Sequence, residues 1–508
     1  MSGLFYGLEI ARTALTVSQK AINLTGHNIS NANTEGYTRQ RLIVNSIEPA
    51  SIHARLSQVG KGSVGGGVEV SLVDQIRSDY LDRQFRSQNS KLGYWQTRAD
   101  ELEYIETVIN ELSEDSSISS AMADFFDSLS DLAADPVSEE IRTTVQQNAL
   151  KMTETFNQYY DQLVELQNSY NQSMKLTVDE VNDLLKGIAT YNEQVFAYEL
   201  SGEKANELRD KRNLMIDQLS SLINVTTSEA ADGTLTVSCE GVDLVHHKTA
   251  TLLEARPELT GAVSGEPGYY QIYLSGTDNV FSYSSGKLQS FKDLRDSTSV
   301  DNLGIPRILQ SLNTLAQSIA KQFNAIHSTG YTMPNGATAS QTGINMFDVP
   351  IAVDEDGNNY EDYSAITAGT FSLSDEVLSS VFNIAASSQL IDLSAANTNE
   401  GNNEIALAMV ALSSSTSVPG VDNFENYLKS TVVEVGIESS TSKKNAASQQ
   451  AIVDNVVERK SSVSGVSLDE EMIQLISYQH SYSAAARVLT AIDDALETLI
   501  HRTGRVGL

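Results

Sequence analysis

The N-terminal segment carries apolar residues at alternating steps of four and three positions, which is the spacing of one face of a helix. The positions that follow this spacing are Leu4, Leu8, Ala11, Leu15, Ser18 and Ile22. We therefore predict an amphipathic helix with a narrow apolar seam. One such helix cannot bury its seam alone, so it needs a partner.

The C-terminal segment repeats the same alternation. Ser467 and Glu470 form a capping box just before it, which marks the start of a helix. Its seam consists of Leu468, Met472, Leu475, Gln479, Tyr482, Ala486, Leu489, Asp493, Leu496 and Ile500. We expect the two ends to pair with each other or with neighbouring copies. Two unrelated surface helices are the alternative.

A much longer seam lies in the middle of the chain, between Met152 and Tyr198. Fourteen successive heptad positions fit, and Thr177 is the only polar residue among them. This pattern predicts a coiled-coil-like helix of about 70 Å. We expect the helix to end at Ser201-Gly202 and its seam to be core.

The period changes to two at Leu235, Val237 and Cys239, which predicts a half-buried strand. Residues 270–274 predict a second strand, and residues 370–373 a short one in a Gly-, Ser-, Asn- and Thr-rich stretch. Helical spacing occurs in four further segments, residues 207–225, 303–328, 402–412 and about 424–460.

These patterns predict an α+β multidomain protein, in which terminal coiled-coil-like helices and a long helical body carry inserted β-rich domains. We expect a paired terminal domain from residues 1–50 and 460–508. The predicted helical body, β domain and outer β-rich insertion comprise residues 51–225 with 301–330 and 400–459, residues 226–300, and residues 331–399, respectively.

An Asn-rich turn follows the N-terminal helix. Its Asn side chains can cap backbone groups, and Gly36 suits a backbone with positive φ. The stretch predicts a specific junction between a helix and an extended segment, with an ordinary polar loop as the alternative. The residues that define it are Asn28, Asn31, Asn33, Thr34, Gly36 and Tyr37.

Composition and charge exclude several classes of function. The 508 residues include 66 acidic and 34 basic side chains, a net charge of −32, which argues against nucleic acid or anionic lipid as the main partner. No apolar run is long enough for membrane insertion, and one cysteine excludes a disulfide framework. Because Glu9 and Arg12 interrupt the apolar residues of the N-terminus, we expect no signal peptide. The protein is then cytoplasmic or is exported by another route.

Candidate chemistry is weak, and we expect no catalytic residues, no cofactor and no metal. His246 and His247 should point to opposite faces of a strand. Residues 60–63 lack the first glycine of a phosphate-binding loop. Asp354, Asp356 and Asn358 resemble a calcium loop, but Asn359 and Ala365 replace its glycine and glutamate. The acidic stretch at 99–140 is better explained as a solvated helix face.

Two motifs carry a family resemblance. Residues 28–37, Asn-Ile-Ser-Asn-Ala-Asn-Thr-Glu-Gly-Tyr, behind a helix at the N-terminus, resemble the signature of the flagellar axial proteins of rod, hook and junction. Residues 464–500 resemble that family's terminal helix, and Gly65-Gly66-Gly67-Val68 its following Gly-Val stretch. The helical segment before residue 225 is similar to the member at the junction between hook and filament.

The resemblance implies a structural adaptor that joins hook to filament, not an enzyme. Such a protein would be exported unfolded through the flagellar secretion channel and would assemble as a ring at the distal end of the hook, outside the cell. The implied partners are other copies of itself, the hook protein, hook-associated protein 3 and an export chaperone at the C-terminal helix. The implied assembly interface comprises the Asn-rich residues named above and the seam residues Leu4, Leu8, Leu15, Ile22, Leu468, Met472, Leu475, Tyr482, Leu489, Leu496 and Ile500.

Two other readings stay open at this point. The protein could be a sibling axial protein, such as hook or distal rod, although its long helical body argues against this. It could also carry an enzyme as an insertion, which would need a cleft with convergent polar groups within residues 226–400.

Overall fold

A computed structural model describes residues 2–47, 65–109, 117–258, 268–335, 338–353, 358–394, 398–415, 418 and 423–503. The chain is α+β, as predicted. The helices are α1 (Ser2–Ser30), α2 (Asp79–Ile109), α3 (Ile118–Ala134), α4 (Glu139–Glu199), α5 (Asn206–Leu222), α6 (Lys287–Asp296), α7 (Ile305–His327), α8 (Asp375–Ser379), α9 (Glu404–Ala411), α10 (Phe424–Ser464) and α11 (Leu468–Thr503). None of them is long and apolar enough to cross a membrane.

The strands form small antiparallel sheets. Strands β3 to β6 make a four-stranded meander, whereas β1 with β2, β7 with β8 and β9 with β10 form two-stranded ribbons. Their bounds are β1 (Gln40–Ser46), β2 (Val68–Gln75), β3 (Thr226–Glu229), β4 (Leu235–Cys239), β5 (Val242–His246), β6 (Thr249–Ala250), β7 (Leu253–Pro257), β8 (Tyr270–Leu274), β9 (Ile351–Val353) and β10 (Asn359–Glu361). Residues 68–75 are therefore a strand, although they lie in the range predicted for the helical body.

Helix α4 is longer than predicted. It begins at Glu139, where the hydroxyl of the N-cap residue Ser138 accepts a hydrogen bond of 3.4 Å from the Ile141 amide. At 1.5 Å per residue, its 61 residues span about 90 Å. The predicted end is confirmed, because Gly202 adopts a φ of 86° just beyond the last turn.

The buried face of α4 follows the predicted heptad as far as Val181, and the predicted positions Ile188 and Val195 beyond it are also fully buried. Leu185 is fully buried, Leu184 only half-buried and Tyr198 exposed. Tyr198 lies in the last turn of the helix and is 48% exposed, so the prediction that it belongs to the core is wrong.

The helical body is built around α4. Helices α2 and α10 run antiparallel, and their contact includes a salt bridge of 2.8 Å between the fully buried Arg98 and Glu438. Helices α3 and α7 pack through aromatic side chains. The rings of Phe125 and Phe323 lie 5.3 Å apart, and Phe323 contacts Phe347 of the outer segment.

Residues 226–300 contain the predicted strands. Leu235, Val237 and Cys239 face the core, as the period of two predicts. The segment also contains α6, which the sequence analysis missed although Leu288, Phe291 and Leu294 repeat at steps of three.

Asparagines on α4 hold the strands against the helix. The side-chain oxygen of Asn192 accepts from the Leu235 amide at 3.0 Å, and its nitrogen donates to the Leu235 carbonyl at 2.8 Å. Asn182 makes the same pair of bonds, each of 2.8 Å, with Leu253, and Asn171 accepts from Tyr270 at 2.8 Å. The three lie ten or eleven residues apart, about three turns, and so share one face.

The outer segment is less β-rich than predicted. Its described strands are β9 and β10, and residues 370–373 form no strand apart from one bridge between Phe347 and Leu373. Backbone groups there bond to helix side chains instead, since Asn157 of α4 donates to the carbonyls of Ala368 and Phe371 at 2.7 and 3.1 Å. Asp354 and Asp356 of the calcium-like loop lie outside the described residues.

Candidate assembly interface

The two ends of the chain meet as an antiparallel helix pair, α1 against α11. Gly7, near the start of α1, lies against Ile492 near the end of α11, because a Cβ at Gly7 would be 3.3 Å from the Ile492 Cδ1. At the other end of the pair, Asn28 bonds to Glu471. Pairing of the termini with each other is the first of the two predicted arrangements.

Small and polar residues of α1 form the most buried part of this contact. Ala11 and Ser18 of the predicted seam are buried, together with three residues that the analysis did not place in it, Ala21, Thr25 and Asn28. They continue the heptad of Ala11 through steps of three and four. The predicted seam followed the larger residues, and this continuation was not part of it.

The larger seam residues have intermediate or high exposure. On α1, Leu8, Leu15 and Ile22 are half-buried. On α11, the half-buried residues are Leu475, Tyr482, Leu489 and Leu496. Leu468 and Met472 are 51% and 49% exposed, whereas the side chains of Leu4 and Ile500 lie outside the described ones.

The side chain of Asn28 joins four groups in a buried site. Its nitrogen donates to the Gln40 carbonyl at 2.9 Å and to Oε2 of Glu471 at 3.0 Å. Its oxygen accepts from the Tyr37 hydroxyl at 2.7 Å and from the Gln40 amide at 3.1 Å. All of its hydrogen-bonding groups are thereby used, so this amide links α1, the start of β1 and α11.

Glu471 is buried and needs a cation. Arg39 supplies it, because its Nε donates to Oε1 of Glu471 at 2.7 Å and a terminal nitrogen donates to Glu470 at 2.8 Å. Both glutamates lie in the first turn of α11, where negative charge is favourable. The Ser467 hydroxyl accepts from the Glu470 amide at 3.5 Å, which confirms one half of the capping box. Arg39 holds the Glu470 carboxylate.

The remaining motif residues shape the turn after α1. The Asn31 side chain donates to the His27 carbonyl at 3.0 Å and accepts from the Thr34 hydroxyl at 3.2 Å, whereas Asn33 is exposed. Gly36 adopts a φ of 78° against Leu214 of α5.

Tyr37 follows the turn and lies in a polar, partly desolvated position. Burial, and then the nearby carboxylates of Asp210, Glu207 and Glu471, raise the pKa of its phenol well above the ordinary value. The hydroxyl therefore stays protonated and remains the donor to Asn28.

A carboxylate of α5 connects the motif to the helical body. Oδ2 of Asp210 accepts from the Thr38 amide at 3.0 Å, and Oδ1 accepts from the Gln75 side chain at 2.8 Å. Burial raises the pKa of Asp210 to about 6, while these bonds and the nearby Arg77 oppose the shift.

The outer surface of the terminal pair is apolar in several places. Phe5 on α1 is 59% exposed and Ile473 on α11 is 68% exposed. The other exposed apolar residues of α11 are Leu468, Met472, Ile476, Val488 and Leu499. An apolar surface of this kind is a candidate for contact with other chains.

Candidate chemistry elsewhere is sparse. Among the described residues no group of three or more His, Cys, Asp and Glu side chains is placed to hold a metal ion. His246 ends β5, but His247 lies in the following turn with a φ of 56° and is not on the predicted strand. The phosphate-loop candidate at 60–63 lies outside the described residues.

Family models match three segments of the chain. Residues 102–347 match the flagellar hook-associated protein FlgK helical domain. Residues 460–501 match the flagellar basal body rod FlgEFG protein C-terminal family, and residues 8–38 the flagella basal body rod protein family. The two terminal matches cover most of the two helices that pair in the structure.

Relatives match almost the whole chain. Flagellar hook-associated protein 1 of Bacillus subtilis (strain 168) is 31% identical over 524 residues, covering 99% of each chain. The protein of the same name from Escherichia coli (strain K12) is 24% identical, covering 97% of this chain and 98% of its own.

A solved structure also shares the fold. The flagellar hook junction protein FlgK from Burkholderia pseudomallei matches 75% of this chain and all of its own, at 16% identity and a TM-score of 0.59. The full-length match at 31% identity and the three family models agree. The chain therefore belongs to the flagellar hook-associated protein 1 family.

Proposed function

We propose that the protein is a structural adaptor that joins the flagellar hook to the filament. It is exported through the flagellar secretion channel and assembles as a ring of copies at the distal end of the hook, outside the cell. Its partners there are the hook protein on one side and hook-associated protein 3 on the other.

The observation that carries this proposal is the terminal pair. The pair buries a seam of small residues between its own helices and leaves large apolar residues of α11 exposed, among them Ile473 and Ile476. Exposed apolar residues on a helix surface favour contact with neighbouring chains. We therefore propose that the terminal pair is the assembly interface, in which the predicted seam and motif residues hold the two helices together.

The division of the chain supports the same role. We propose that the terminal domain builds the ring, that the helical body spaces it, and that the β domain and the outer segment project from it. The Asp210 contacts to Thr38 and Gln75 attach the terminal domain to the body. The function is then geometric, because it matches two helical lattices and involves no reaction.

Before assembly, the exposed apolar face of α11 needs protection. We propose that an export chaperone covers it, since an amphipathic helix binds well in an apolar groove. Binding of a chaperone to residues 468–500 and no binding to a chain that lacks them would support this assignment.

Deletion of the gene in the source bacterium tests the proposed function directly. We expect hooks without filaments, with flagellin shed into the medium as monomer. Missing hooks would instead place the protein in the rod or hook, as for a sibling axial protein. Normal filaments would contradict the proposal.

A further inference from the structure

Four arginines line one cavity of about 210 Å³ at the C-terminal end of β2. The cavity lies between Gln75, the first turns of α2, α5 and strand β3, where the terminal ribbon, the helical body and the β domain meet. The arginines are Arg77, Arg83, Arg86 and Arg209.

The side chains that line this cavity are less acidic, taken together, than the chain as a whole. Four guanidinium groups face three carboxylates in its lining, whereas acidic residues outnumber basic ones almost two to one in the whole sequence. Two of these carboxylates are already paired, because Asp82 bonds to Arg77 and lies 3.0 Å from Lys460, and Glu229 bonds to Arg209. Arg209 is also paired with Glu199, which lies outside the lining. The third carboxylate in the lining is that of Asp79.

The guanidinium of Arg86 is held in a fixed orientation. It is 3% exposed and donates to Asp217 at 2.8 Å, to Thr227 at 2.9 Å and to Asn213 at 3.2 Å. Each terminal nitrogen carries two hydrogens, so one on each is left after these bonds. A buried arginine arranged in this way is a preorganised donor.

Arg83 supplies a cation without a carboxylate partner. Its Nε donates to the Asp79 carbonyl at 3.3 Å, and its terminal nitrogens bond to none of the described residues. Arg77 uses its Nε for Asp82 and one terminal nitrogen for a long salt bridge of 3.7 Å to Asp210, which leaves its other terminal nitrogen open among the described residues. Planar terminal N–H groups that remain open match the oxygens of a tetrahedral anion.

We propose that this cavity binds a small, multiply charged oxyanion with the chemistry of phosphate or sulfate. Arg83 and Arg77 contact the anion through their terminal nitrogens, and the fixed Arg86 and the Thr227 hydroxyl complete the site. The bound anion bridges β2, α2 and β3, and it stiffens the attachment of the terminal domain to the body. This site is separate from the proposed assembly interface.

The test is a titration of the purified full-length chain with sodium phosphate, and separately with sodium sulfate, against sodium chloride at matched ionic strength. Isothermal calorimetry should detect binding of one phosphate or sulfate that chloride does not reproduce. Since charge-assisted hydrogen bonds are among the stronger ones, Arg83→Gln should weaken binding by about tenfold. Arg83→Lys keeps the charge but loses the planar donor group, so its affinity for the oxyanion should lie between those of Arg83→Gln and the unsubstituted chain.

Lys91→Gln is the matched control, because it removes the same charge from an exposed position of α2 about 12 Å further along. It should bind phosphate like the unsubstituted chain. Equal weakening by both substitutions, or oxyanion binding no stronger than that of chloride, would overturn the proposal. The two tests are independent, because a deletion strain with normal filaments would contradict the proposed junction role without changing oxyanion binding by the purified chain.

Discussion

Asn28 and Glu471 lie 443 residues apart in the chain, yet the side-chain nitrogen of Asn28 donates a hydrogen bond of 3.0 Å to the Glu471 carboxylate. Both side chains are almost fully buried. The Asn-rich motif and the terminal helix, which resemble the family at opposite ends of the sequence, are therefore parts of one site. In this structure the motif orients the C-terminal helix as well as forming a turn.

Asn28→Ala should destabilise the terminal pair by about 2–4 kcal/mol, since it removes the partner of Tyr37, Glu471 and both backbone groups of Gln40. Native-state hydrogen exchange of α1 amides measures this loss. Asn33→Ala, at an exposed position of the same motif, should change protection by less than about 0.5 kcal/mol. Equal effects would contradict a central role for Asn28.

Leu489→Asp should abolish incorporation into flagella, because it places a charge in the half-buried seam of α11. Complementation of the deletion strain, followed by counting of filaments, measures incorporation. Circular dichroism of the purified variant should show that α4 and the strands remain folded. Thr490→Asp at the exposed neighbouring position is the control, and incorporation of both variants would refute the seam.

Stability should depend on pH through Asp210. Its pKa is about 6 in the folded chain against an ordinary value of 3.8, so the folded state favours the protonated form. Its contribution to stability is full below pH 3.8 and is lost as the pH rises through 6, by about 2–3 kcal/mol. Thermal unfolding between about pH 3.5 and 7 should show this decline, and Asp210→Asn should flatten it. An unchanged profile in the variant would exclude Asp210 as the source.

Through His327, stability should depend on pH in the opposite direction, falling as the pH is lowered. Its Nδ1 bonds to the Ile344 carbonyl at 2.7 Å and its Nε2 accepts from the Ala385 amide at 2.8 Å, an arrangement that needs the neutral ring. Burial lowers its pKa to about 4 from 6.5. Stability is present above pH 6.5 and should fall by about 3 kcal/mol as the pH drops through 4.

Acid unfolding of His327→Gln measures this effect, because glutamine does not titrate in this range. The variant should lose the decline between pH 6.5 and 4. His246→Gln, at an exposed position, should retain it. Retention of the decline in both variants would show that another group causes it.

Two glycines in helices should respond to alanine with opposite signs. A Cβ at Gly93 would overlap the carbonyl oxygen of Ser221 where α2 packs on α5, whereas a Cβ at Gly26 meets nothing within 4 Å. Gly93→Ala should therefore destabilise the body by about 2 kcal/mol. Gly26→Ala should stabilise α1 by about 0.5–1 kcal/mol. Urea unfolding measures the first effect and hydrogen exchange of α1 the second, and equal signs would contradict the close approach of α2 and α5.

Periodicity predicted the elements whose burial depends on one continuous face. Helix α7 follows the pattern that begins near Leu309, and the strand from Leu235 to Cys239 shows its alternation. Contacts made by single polar side chains left no such pattern. Asn171, Asn182 and Asn192 bind strands 43 to 99 residues away, and their spacing has meaning only once those strands are known.

In the candidate interface too, the sequence indicated the local motif but not the distant side chains that contact it. The resemblance identified Asn28 and Tyr37, but Glu471, the carboxylate that accepts from Asn28, looked like an ordinary acidic residue at a helix start. Its burial depends on Arg39, which no local pattern links to it. Likewise, the pairing at 370–373 is limited to one bridge between Phe347 and Leu373, and Asn157 of a distant helix takes the Phe371 carbonyl.

The contact between Asn28 and Glu471 also has a consequence for biosynthesis. A ribosome makes the chain from the N-terminus, so Asn28 is complete long before its partner. A chain that stops before residue 471 would leave Asn28, Arg39 and Tyr37 around an empty position. The contact therefore forms only in a chain that has been translated past residue 471, and a product truncated before it would carry an N-terminal helix without its partner.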